Sequence, residues 1–172
     1  MDFNDTPEEA SFRKEVNDWL SSNASLKDSP KDSGYPGTGE EDALKKAKEW
    51  GAKLYESGWA CLHWPKEYGG RGSAPMERVI WGQEVSKYKV PGGFFEIGQG
   101  MAGPVLMMYA SDDQKKRYLP PMAKGEEIWC QLFSEPGAGS DLAGLKTKAV
   151  LEGDTWTING QKIWTSGAHY SD

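Results

Sequence analysis

Near Glu127 the chain changes its period. Upstream, apolar residues recur every three or four positions between capping signals; downstream, short apolar runs are separated by glycine-bearing turns. A stripe of period 3.6 suits a helix and an alternation of period 2 suits a strand, so neither pattern substitutes for the other. Helices first and strands last point to separate helical and β domains rather than an interleaved parallel sheet. The expected fold is therefore α+β. An all-α helical domain covers residues 1–126, and the first strands of an antiparallel β domain occupy 127–172.

Thr6-Pro7-Glu8-Glu9 is a capping box with proline at the first helical position, and Phe12, Val16, Trp19 and Leu20 follow at helical spacing. Ser21 to Gly39, rich in Ser, Gly, Pro and Asp, reads as a loop with little to order it. Thr38 with Glu41 opens a second helix bearing Leu44, Ala47, Trp50 and Leu54, which Gly58 is placed to end. Ser73, Pro75 and Met76 start a third, broken at Pro91-Gly92-Gly93. Phe94 to Tyr109 reads as a buried helix, its glycines allowing close packing. Ser111 with Gln114 caps a short helix that Pro120-Pro121 should stop. About four strands are expected beyond: Ile128–Phe133, Thr147–Leu151 and Thr155–Ile158 around Glu152-Gly153-Asp154, then Ile163–Thr165 after the Asn159-Gly160 turn.

Charge and composition exclude several function classes. Asp and Glu number 26 against 20 Lys and Arg, giving a net charge of -6, which is wrong for a nucleic-acid surface. The basic runs Lys45, Lys46, Lys48 and Lys115, Lys116, Arg117 lie among acids and read as solvated helix faces. Cys61 and Cys130 form no CxxC, which fits a reducing compartment. No signal peptide is visible at the N-terminus, and no run approaches the ~20 apolar residues of a membrane span, so a cytoplasmic location is expected. His63 and His169 stand alone, so no metal site is expected. Eight Trp, seven Tyr and five Phe supply core, and also the walls that a flat ligand needs.

The segment Ser134-Glu135-Pro136-Gly137-Ala138-Gly139-Ser140-Asp141 lies between expected strands. Its glycines let backbone approach a ligand and present N–H groups, and its serines add rotatable donors. It is neither a Walker motif nor a dinucleotide fingerprint. On physical grounds alone it is a turn or a cradle for a phosphate or a polar ring edge.

The longer string is more specific. Gln131-Leu132-Phe133-Ser134-Glu135-Pro136-Gly137-Ala138-Gly139-Ser140-Asp141-Leu142-Ala143, followed by Ile158-Asn159-Gly160-Gln161-Lys162-Ile163-Trp164-Thr165-Ser166, closely resembles the acyl-CoA dehydrogenase family. Trp64–Gly72 and Asp113–Pro120 support it. The resemblance implies a helical N-terminal domain on the acyl side, a middle β domain, and a C-terminal four-helix domain that is absent here. It implies FAD as cofactor, with Gln131, Leu132, Phe133 and Ser134 along the flavin and Ser134 at its pyrimidine edge. Gly139 and Ser140 would approach the flavin, Ser140 also meeting the CoA part of the substrate. Trp164 would cover one ring face, and Ser166 would reach toward N5, where the family often has Thr. Residues 94 to 109 would lie toward the acyl end.

The reaction implied is α,β-dehydrogenation of an acyl-CoA, as in β-oxidation. An electron-transfer flavoprotein would be the electron acceptor and the assembly a homo- or hetero-oligomer, a tetramer in the family. The family's base is a Glu of the C-terminal domain, so no catalytic residue is expected within 1–172, and Glu135 is assigned to the binding loop. The chain is thus expected to be an incomplete, inactive N-terminal part. The alternatives are an acyl-CoA oxidase of the same fold, or a non-catalytic subunit that binds acyl-CoA or a partner protein.

Overall fold

The computed structural model describes residues 4–28 and 39–172. They divide into a helical unit, Met1–Glu127, and a unit containing a β-hairpin, Ile128–Asp172, so the fold is α+β with helices first.

In the first unit α1 (Pro7–Asn23) begins as its sequence dictates. Thr6 Oγ1 accepts from the Glu9 amide at 3.2 Å, and Glu9 accepts from the Thr6 amide at 2.8 Å. Its apolar stripe, Phe12, Val16 and Leu20, is buried against Trp59, Leu62, Ile80 and Tyr88. Ile80 lies on α3 (Pro75–Val85), which packs along α1. Trp59 and Trp81 stack with centroids 5.0 Å apart, and Trp19 links this pair to Trp50 on α2 (Glu40–Glu56). Glu84 of α3 is buried but not alone: it accepts from Arg13 at 2.7 Å and from Lys87 at 2.5 Å, while Arg13 also binds Asp5. Burial alone would raise the Glu84 pKa; hydrogen bonds from Lys87 and Arg13 outweigh it and hold the group below its ordinary value.

Several local expectations change. The Thr38 cap lies outside the described residues. Gly58 does sit in the left-handed region (φ 72) just past α2. The N-cap of α3 is Ala74, with Glu77 accepting from its amide at 3.0 Å, one residue later than Ser73. The same helix ends at Val85, well before Pro91. The chain then forms β2 (Tyr88–Lys89), antiparallel to β1 (Ser25–Leu26), so part of the supposed loop is ordered by a partner distant in sequence.

The 94–109 segment is not a buried helix. Gly98–Ala102 is a π turn leading into α4 (Gly103–Tyr109), and Met101, Val105 and Met108 are exposed. What is buried there is glycine: a Cβ on Gly103 would lie 2.6 Å from Trp64 Cη2 and closer still to Cζ2. The π turn has a chemical reason. Gly103 donates to the Gly98 carbonyl in the i→i−5 register, and the next donor in that register is Pro104, which has no N–H. The Gln99 carbonyl left over is taken by Trp64 Nε1 at 3.1 Å.

Pro120-Pro121 does not stop α5, which runs from Asp112 to Lys124 under the Ser111–Gln114 capping box. The prolines remove two donors, but buried Leu119, Met122 and Ala123 keep the turn in place. Gly125 (φ 75) ends it, its amide on the Met122 carbonyl and that of Glu126 on the Pro121 carbonyl.

In the second unit β3 (Lys148–Glu152) and β4 (Thr155–Asn159) form the expected hairpin, Glu152 opposite Thr155, with Gly153 at φ 61 in the turn. Ile128–Phe133 is not a strand. The Ile128 amide donates to Asp172 Oδ2, and the Ile128 carbonyl accepts from the Asp172 amide. Asn159-Gly160 makes no hairpin, and Ile163–Thr165 is not a strand. Gly160 serves close approach, because a Cβ there would stand 2.6 Å from Thr147 Cβ.

Candidate functional site

The glycine-rich segment folds on itself at once. Glu135 and Ala138 exchange backbone hydrogen bonds of 2.8 and 3.1 Å around Pro136-Gly137. This aims the Glu135 side chain inward, where it is 7% exposed. Its carboxylate accepts from Lys162 Nζ at 2.8 Å and from the amides of Lys146 and Thr147 at 2.7 and 3.0 Å. The Lys162 ammonium is the main cause that holds Glu135 down to about 2, and the amide donors act in the same direction. A carboxylate so committed is a poor proton acceptor.

Lys162 Nζ also donates to the Phe133 carbonyl at 2.9 Å, and the Ile163 amide donates to the Ser134 carbonyl at 2.9 Å. Residues 133–135 and 162–163 therefore run side by side, although 29 positions separate Phe133 from Lys162. This brings together Phe133, Ser134 and the stretch leading to Trp164. Trp164 has φ 56 and its side is 87% exposed, and Leu132 and Phe133 are exposed as well. Gln131 and Ser134 are half-buried, whereas Gly139, Ser140 and Ser166 are exposed. Space around Gly139 is open, with nothing within 4 Å of an added Cβ.

The donor set suits a flat ring with one polar edge. Leu132, Phe133 and Trp164 offer apolar surface, and Gln131 and Leu132 lie outside any strand or helix among the described residues. Sequence reasoning missed the Glu135–Lys162 pair. The available signal was an acid inside one motif block and a base inside the other, pointing to a contact between the blocks.

The helical unit holds its own cleft of about 570 Å³, walled by Trp50, Trp59, Trp81 and Phe95, with His63 and Arg78 at its polar side. Of the 94–109 segment, Phe95, Glu96 and Gln99 reach it. Burial, and secondarily Arg78, lowers the His63 pKa, which favours the neutral imidazole. Burial pushes the Cys61 thiol up to about 12. Among the described residues no group of three His, Cys, Asp or Glu is placed to hold a metal, and no helix is long and apolar enough to cross a membrane.

Residues 6–126 match the acyl-CoA dehydrogenase N-terminal domain and residues 130–172 the acyl-CoA dehydrogenase middle domain. The helical unit and the unit with the glycine-rich loop thus fall into the class of thioester dehydrogenase domains. The chain belongs to the acyl-CoA dehydrogenase family. It is 42% identical over 166 residues to the acyl-CoA dehydrogenase IpdE1 of Mycobacterium tuberculosis, covering 93% of this chain and 42% of that protein. Among solved structures it resembles the Tcur3481-Tcur3483 steroid ACAD, with TM-score 0.72 and 32% identity, covering 100% of this chain and 43% of the other. It also resembles the ChsE4-ChsE5 complex from Mycobacterium tuberculosis, with TM-score 0.71 and 33% identity, covering 100% and 42%. The chain spans about two fifths of the length of these relatives.

Proposed function

We propose that this chain supplies the acyl-side and flavin-side walls of an FAD-dependent acyl-CoA dehydrogenase. The observation that carries the reading is the hydrogen-bonded pairing of residues 133–135 with 162–163, which joins two motif blocks that carry the exposed Phe133 and Trp164. In this reading Gln131 to Ser134 lie along the flavin, with the Ser134 hydroxyl at the pyrimidine edge. Trp164 covers the ring and excludes water. Ser166 donates toward N5, and Gly139 and Ser140 lie between the flavin and the CoA part of the substrate. The flavin, when bound, would supply the acceptor for the β-hydride, with the α-proton passing to a base other than Glu135. Residues 1–126 serve the acyl group and 127–172 the flavin.

Glu135 is not the base. Its lone pairs are committed to Lys162 and two amides, and its pKa of about 2 makes proton capture from a thioester α-carbon unfavourable. Its role is structural. The cleft of about 570 Å³ with three indole walls favours a bulky, ring-bearing acyl group over a thin straight chain, and the likeness to a steroid ACAD supports this. An oligomer, an electron-transfer flavoprotein as acceptor and a cytoplasmic location complete the reading.

The test is anaerobic titration of the FAD-loaded holoenzyme with acyl-CoAs. Ring-bearing and straight-chain thioesters of equal carbon number should both bleach the flavin, the ring-bearing ones with the larger second-order rate constant of reduction. Absence of bleaching across the panel refutes the activity. A preference for straight chains refutes the acyl-group assignment alone.

A further inference from the structure

Trp164 is held in the left-handed region at φ 56, a conformation that bulky L-residues adopt only when their surroundings over-determine it. Most of its side chain faces solvent, so packing on the indole does not impose that conformation. The chain just before it is itself tied down. Ile163 is bonded to Ser134, and Lys162 is bonded to both Phe133 and Glu135.

Glu135 in turn is anchored by the Lys146 and Thr147 amides, so one carboxylate and one ammonium tie three separate stretches of chain together. Side-chain exposures of 20% for Lys162 and 6% for Glu135 set this pair apart from surface ion pairs, which contribute little. Hydrogen bonds to charged, largely desolvated groups are the stronger class.

We propose that Glu135 and Lys162 are positioning residues, whose ion pair fixes the backbone leading into Trp164 and so the placement of its indole. Neither residue needs to touch the ring. Lys162 holds the 162–164 stretch against the 133–134 stretch, and Glu135 holds Lys162. The effect on flavin rests on the function proposed above; the effect on Trp164 does not.

The experiment compares wild-type holoenzyme with Lys162→Met and Lys162→Arg, each labelled with 5-fluorotryptophan and assigned by Trp164→Phe. Lys162→Met should raise exchange of the Ile163 amide by roughly 10-fold or more, as expected for loss of charged hydrogen bonds in a local opening. It should also move the Trp164 fluorine resonance and shift the visible flavin band. Lys162→Arg, which keeps a cation at that site, should restore most of each change.

Unchanged exchange at Ile163 overturns the proposal. So does faster exchange with an unmoved Trp164 resonance, because the pair is then a brace without a positioning role. If Lys162→Met does not fold, Glu135→Gln, which keeps the volume and removes the charge, is read by the same two signals. If the wild type binds no flavin, the proposed function fails, and the exchange and fluorine signals still decide the positioning role.

Discussion

Replacing Gly103 by alanine sets a methyl group against the indole of Trp64. The added Cβ would stand 2.6 Å from Cη2, with Cζ2 nearer, well inside van der Waals contact. The indole cannot easily yield: Trp64 is fully buried, and its Nε1 is bonded to the Gln99 carbonyl. Overpacking of this kind costs about 1–3 kcal/mol, and loss of the indole hydrogen bond adds about 1. Alanine offsets about 1 through its better helix propensity, which leaves a net loss of about 1–3 kcal/mol. Gly82 on α3 is the control. It too is helical, but nothing lies within 4 Å of an added Cβ, so Gly82→Ala should stabilise by about 0.5–1 kcal/mol. Urea unfolding followed by tryptophan fluorescence measures both. Two substitutions identical in chemistry should move the midpoint in opposite directions. A Gly103→Ala protein as stable as wild type would refute the packing argument.

Glu84→Ala, which leaves a buried gap and takes one of two carboxylate partners from Arg13, should destabilise by about 1–3 kcal/mol in the same assay. Because the folded-state pKa of Glu84 lies below its ordinary 4.5, its stabilisation is present above that value and is lost as pH falls through the folded value; Glu84→Gln should flatten this acid limb. Glu135 behaves likewise, with protection of the Lys146 and Thr147 amides fading between about 4.5 and about 2, and persistence at pH 2 would contradict its low pKa. In the holoenzyme Ser166→Ala should slow flavin reduction by roughly 10²–10³ while FAD retention changes little, and an unchanged reductive half-reaction in stopped flow would remove Ser166 from the N5 side. Cys61, half-buried and pushed up to about 12, should react with iodoacetamide at pH 8 far more slowly in folded than in urea-unfolded protein, and equal rates would show that its surroundings do not hold the thiol protonated.

Features set by residues three or four apart were legible in the sequence. The caps at Thr6 and Ser111 and the Phe12–Val16–Leu20 stripe need nothing beyond their own neighbours, and the structure has them. The turn at Gly153 is local in the same sense. Features set by distant partners were not legible. β1 exists only because Ser25 meets Lys89, and the end of α3 is drawn back by that pairing. Pro120-Pro121 reads as a stop until the burial of Leu119 and Met122 is known. At the candidate site the motif blocks at 131–143 and 158–166 stood out, and the structure brings 133–134 against 162–163. The acid–base pair that joins them was missed, because each member read alone looks like an ordinary surface charge, and only the two blocks taken together point to it.

The π turn before α4 has a rotational consequence. A single π turn inserts one residue into a helix, and each residue advances an α-helix by about 100°. The direction in which Val105 and Met108 point therefore goes with the π register, in which the Gln99 carbonyl is bonded from outside the helix backbone. That partner is not backbone but the indole N–H of Trp64, 35 residues upstream. A tryptophan in the Trp64-Pro65 stretch thus indexes an apolar face built from a different part of the chain. A change at position 64 that kept the volume and lost the N–H would be felt as a turned surface more than as a cavity.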